Sequence, residues 1–174
     1  YILTEVSSDA SESVQKIIHW LSDKGIGLAI NPHKEYPDFV FTYGMLWYFR
    51  ETGLFYQKPK KRSFDNGTLD KTNGKVEFTP QKILSSSNPA TQYLPTHVRS
   101  ILKAFFRDQG ILLPKILAIS LENDHYDLAF SLDSLANPPE KEHPGIAEAI
   151  SWFLPPHYSI LLVSEQGLPA FYDL

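Results

Sequence analysis

The residues of this 174-residue chain best suited to acid–base or metal chemistry are six histidines, at positions 19, 33, 97, 125, 143 and 157, and 20 acidic side chains. Their spacing assembles neither kind of site. No two histidines stand four apart, so no helix can offer two imidazoles to one zinc ion as an H-E-x-x-H site does. His33-Lys34-Glu35 has the H-x-E form that opens zinc deaminase sites, but those need a P-C-x-x-C partner and the chain has no cysteine. Without cysteine there is no disulfide framework, no thiolate-ligated zinc or iron–sulfur centre and no cysteine nucleophile. A nucleophile elbow of the form G-x-S-x-G is also missing. Gly67 to Lys75 has the outline of a phosphate loop, yet six residues separate its glycines where four are needed, and Val76 stands where Ser or Thr must meet magnesium. Gly25-Ile26-Gly27 lacks the third glycine of a dinucleotide loop and follows a helix rather than a strand. His125-Tyr126-Asp127 remains as a pairing of a base with an orienting carboxylate, since residues two apart on a strand share a face. No cofactor and no metal is expected.

The second chemical resource is aromatic. Between Tyr36 and Tyr56 lie Phe39, Phe41, Tyr43, Trp47, Tyr48, Phe49 and Phe55. One face of a helix or strand buries about half of such a set. Either both faces are covered and this is the centre of the core, or the surplus forms an exposed patch of the kind that marks partner sites. On the second reading Tyr36, Phe39 and Trp47 form a partner-binding surface. Lys60, Lys61 and Arg62, from the basic run Lys58-Pro59-Lys60-Lys61-Arg62, supply its polar rim and draw in an acidic partner.

Elements that must position these groups can be read from periodicity. Val14, Ile17, Ile18 and Leu21 form one apolar stripe of a helix over 11–24, with Asp9 and Glu12 as a capping box and Gly25 as its stop. Leu28 to Ile30 reads as a short buried strand, and 31–38, holding two prolines, as a turn. Phe39 to Phe41 reads as a strand. After Gly44 a short helix to Thr52, stopped by Gly53, is preferred over a continued strand. Apolar residues then thin out, and 57–80 is expected to be a flexible basic loop or a β-ribbon carrying the turn dipeptides Asn66-Gly67 and Asn73-Gly74. Residues 85–89 read as a linker. Helix 96–109, strands 115–121 and 126–132 joined by a four-residue loop, a helix opened by Pro144 at its first position, and strand 159–164 complete the chain. The order helix–strand–strand–helix–strand implies an α+β fold: a single domain over 1–174, with helices packed on one face of a mixed β-sheet.

Composition bounds the rest. The formal net charge of −4 excludes a general nucleic-acid coat, and no apolar run reaches the length of a membrane span. All but five of the 16 cations precede residue 96, while the acidic residues divide evenly. An acidic C-terminal half disfavours phosphate binding there, and a polyanion would meet the cations of 50–82. Absence of cysteine fits a reducing cytoplasm. The chain opens on Tyr1 rather than methionine, which leaves a removed leader open.

The C-terminal half resembles the C-terminal domain of the SseB family, the bacterial "enhanced serine sensitivity" proteins. The likeness lies in Leu94-Pro95 before a helix, Ile116 to Leu132 as a strand pair, Gly145 to Phe153 as a helix, and the closing Leu168-Pro169-Ala170-Phe171-Tyr172, where Ala170 interrupts the Pro-Phe-Tyr ending of that family. It spans 94–172 and implies no established chemistry. The expectation is a bacterial protein-interaction module without enzymatic activity, an adaptor or a secretion-type chaperone, binding a protein partner. The alternative is a small hydrolase or transferase whose Asp, Glu and His residues gather only in space.

Overall fold

The computed structural model describes residues 1–4, 9, 12–22, 24–55, 83, 85–122 and 125–174. It has the α+β composition expected, but with two mixed sheets in place of one. The backbone gathers into two compact units: residues 1–57 with 148–156, and residues 58–147 with 157–174.

In the first unit, β1 (Ile2–Thr4) runs parallel to β2 (Leu28–Ile30), and β2 antiparallel to β3 (Phe39–Phe41). Register places Ile2, Leu28 and Phe41 on one face with Thr4, Ile30 and Phe39, and places Leu3, Ala29 and Val40 on the other. Helix α1 (Val14–Leu21) buries Ile18 and Leu21 against Leu28 and Leu46, with Ile2, Ile17, Ile30, Phe41, Phe49 and Phe55 around them. Its start is later than the sequence suggests. Ser13, not Asp9, is the cap and accepts from the Lys16 N–H at 3.3 Å, while Glu12 pairs with Lys16 at 3.2 Å. α1 also ends earlier than the expected stop: Leu21 is its last residue and Ser22 caps it in right-handed backbone, while Gly25, with φ of 68°, lies three residues beyond that cap.

Thr42 caps α2 (Tyr43–Thr52), accepting from Met45 N at 3.3 Å, and Gly53 ends it at φ of 72°. Tyr43, Leu46, Trp47 and Tyr48 are all buried, so this helix is covered on more than one side. Tyr43 donates its hydroxyl to the Ser22 carbonyl at 2.5 Å, the partner a buried phenol requires. Gly44 lets the helix start come against the 152–154 backbone, where its N–H donates to the Trp152 carbonyl at 2.9 Å.

In the second unit the sheet order is β4 (Ser85–Ser87), β5 (Lys115–Glu122), β6 (His125–Ser131), β7 (Ser159–Val163), with β8 (Tyr172–Asp173) also against β5. Only β6 and β7 are parallel. Helix α3 (Thr96–Asp108) packs Phe106 on Phe130 at 5.9 Å between ring centroids. On the opposite face Leu117, Ile119, Ala129, Leu161 and Val163 form a cluster covered by Ile83, Leu168 and Phe171.

The expected linker at 85–89 proves to hold β4: its serines bury little, but its backbone pairs with β5. The ladder between β5 and β6 continues to Glu122 opposite His125, so the connection is tighter than a four-residue loop. Helix α4 (His143–Ser151) begins one residue before Pro144, after a turn of 3₁₀-helix at Glu140–Glu142. A proline in the first turn is still tolerated there, because its missing N–H has no intrahelical partner to lose. Among the described residues no helix is long and apolar enough to cross a membrane.

Candidate functional site

Of the six residues proposed from sequence as a partner surface, two stand at the surface of the first unit. Tyr36 is 77% exposed and Phe39 49% exposed. Trp47 is 3% exposed and belongs to the core of α2. This corrects its assignment to the surface. A helix that meets packed side chains on more than one side has no free face on which to present an indole. Lys60, Lys61 and Arg62, with the whole expected loop at 57–80, lie outside the described residues.

Local chemistry explains why Tyr36 and Phe39 are held outward. The 31–38 turn is pinned at both ends: Asn31 N donates to the Thr4 carbonyl at 2.8 Å and Asp38 N to the Ile30 carbonyl at 3.0 Å. Within the turn the Asp38 carboxylate collects the Lys34 ammonium at 2.6 Å and the Asn31 side-chain amide at 2.6 Å. The hydrogen bond from Lys34, then that from Asn31, holds the Asp38 carboxyl below its ordinary range. Asn31 takes a left-handed φ of 49°, a conformation asparagine accepts more readily than most residues. Pro37 fixes its own φ and confines Tyr36 to extended backbone. The phenol is thus displayed from a constrained loop, and little ordering remains to oppose a partner.

β3 follows at once and, among the described residues, is an edge strand of its sheet. Phe39 rests against Phe41 with centroids 4.4 Å apart, and Phe41 continues to Phe55 at 4.7 Å, so Phe39 is the outer end of an aromatic row rooted in the core. Val40 points to the opposite face, where Leu3 and Val40 are 64% and 40% exposed on either side of buried Ala29. Leu3 and Val40 escaped the sequence reading. Their signal was faint, since three-residue strands show too few alternations to separate a buried face from an open one.

The second unit contains the polar constellation in which an enzymatic reading must be sought. Asp127, at 0% exposure, lies on β6 between Ile119 of β5 and Ser159 of β7. Tyr93 stacks on Tyr158 at 4.4 Å with planes 5° apart, and Tyr158 donates its hydroxyl to the Tyr93 carbonyl. The Tyr93 hydroxyl donates to the Tyr126 carbonyl at 3.2 Å. Burial first, then the neighbouring Tyr158 and the Asp127 carboxylate, push the Tyr93 phenol well above its ordinary value. A phenol so shifted stays protonated at neutral pH and acts as a donor, not as a base. The sequence does single out Tyr126-Asp127, but it gives no sign that Tyr93 and Tyr158 join them.

A third polar group, at the other end of β6 and β7, is structural. Asp133 Oδ2 accepts from Glu165 N at 2.6 Å and Ser164 Oγ at 3.0 Å, while Ser131 Oγ donates to Glu165 at 2.6 Å. These bonds tie two loops together and occupy the carboxylates internally. Among the described residues no group of three or more His, Asp or Glu side chains is placed to hold a metal ion. Comparison with family models, with curated proteins and with solved structures finds no match.

Proposed function

We propose that the chain is a non-enzymatic interaction module, adaptor-like or chaperone-like, that binds a protein partner at the β3 margin of its first unit. The observation that carries this reading is the presentation of Tyr36 and Phe39 on a constrained turn and on the strand that follows it, which among the described residues is an edge of its sheet. Tyrosine and phenylalanine at such a margin gain apolar burial while ordering few torsions. The cysteine-free composition suits a bacterial cytoplasm as the place of action. The resemblance of 94–172 to the SseB family adds no chemistry, and the proposal does not depend on it.

A photo-crosslinking residue substituted for Tyr36, and separately for Phe39, tests the surface in cells of the source organism. Discrete adducts from both positions, and none from the same residue at exposed Lys103 on α3, are the expected outcome. Equal labelling at all three positions, or at none, overturns the reading. A small hydrolase or transferase remains the second reading because Asp127 lies beside Tyr93 and Tyr158. It requires substrate to reach a carboxylate that is fully buried. Hydrolysis of a generic ester or phosphate substrate that is lost in Asp127→Asn, with folding intact, would favour it.

A further inference from the structure

We draw no further inference here: the strongest candidate, the aromatic cluster of Tyr93, Tyr126 and Tyr158 at the head of β6 and β7 in the second unit, belongs to the constellation already described, and nothing in the structure shows what covers its exposed Tyr126 ring.

Discussion

Replacing Gly44 with alanine should be among the most damaging small changes available in the first unit. A Cβ at this position would lie 1.9 Å from the Leu154 carbonyl oxygen and 2.4 Å from the Leu154 carbonyl carbon. Ordinary contact needs about 3.5 Å, so the backbones must part by roughly 1.5 Å. The obstacle is main chain, which cannot rotate aside as a side chain would. Overpacking of this kind costs about 1–3 kcal/mol, and the upper end applies here. Separation also breaks the 2.9 Å bond from Gly44 N to the Trp152 carbonyl, a loss of about 1 kcal/mol. Against this, alanine is favoured over glycine in a helix by about 1 kcal/mol. The net expectation is a loss of about 3 kcal/mol, which for a chain this long lowers the melting temperature by about 6–12 °C. Urea denaturation checks it, through a lower midpoint at unchanged slope. Gly145, also helical but with nothing within 4 Å of the place a methyl group would take, is the control. Gly145→Ala should be neutral or stabilising by up to ~1 kcal/mol. If Gly44→Ala matches its control, the close approach of α2 to 152–154 is refuted.

Other perturbations separate core from surface. Trp47→Ala should cost about 3–5 kcal/mol, the scale for truncating a buried aromatic, whereas Tyr36→Ala should change the stability read from the same denaturation curve by less than ~0.5 kcal/mol. Ala136 holds a left-handed φ of 63° at an exposed position, so Ala136→Gly should raise stability by about 0.5–1 kcal/mol, measured as a rise in melting temperature. The Asp133 carboxyl is held below its ordinary value, chiefly by the backbone N–H of Glu165 and also by the Ser164 hydroxyl. Its folded-state pKa therefore lies below the unfolded one. The contribution is present above the usual carboxylate range and is lost as pH falls through the folded-state value. Asp133→Asn should flatten that acid limb in a stability–pH profile.

Where an element announces itself by a long repeat, the sequence was a good guide. Val98 and Leu102 on the buried side of α3, the Gly53 and Gly110 stops, and the strand pair before Ser131 each follow from local rules of periodicity and backbone freedom, whereas the stripe read with Ile101 and Phe105 missed that Phe106 is the buried ring. Leu28–Ile30 and Phe39–Phe41 were read as strands, but two other short strands did not announce themselves. Ile2–Thr4 and Ser85–Ser87 exist because a neighbour supplies backbone partners, and neither composition nor spacing encodes that neighbour. The division into two sheets was hidden for the same reason, since pairing is decided between residues far apart in the chain. At the candidate site, Tyr36 and Phe39 were legible because the flanking Pro37 restricts them locally. Trp47 was not, because whether an aromatic is covered depends on what packs over its helix. Asp127 was visible as a residue, while its burial beside Tyr93 and Tyr158 needed the tertiary fold.

The first unit borrows residues 148–156 from late in the chain, including the Trp152 carbonyl that receives Gly44 and the Leu154 backbone that lies against it. During synthesis, residues 1–57 emerge from the ribosome about a hundred residues before this segment does. Their interior therefore stays incomplete at the nascent stage, and the usual N-terminus-first order of maturation is not open to this chain. A fragment ending near residue 57 lacks the strip that closes its own interior. Termination before residue 152 removes the backbone that lies against Gly44, so such a product should be a substrate for quality-control machinery rather than a half-sized working protein.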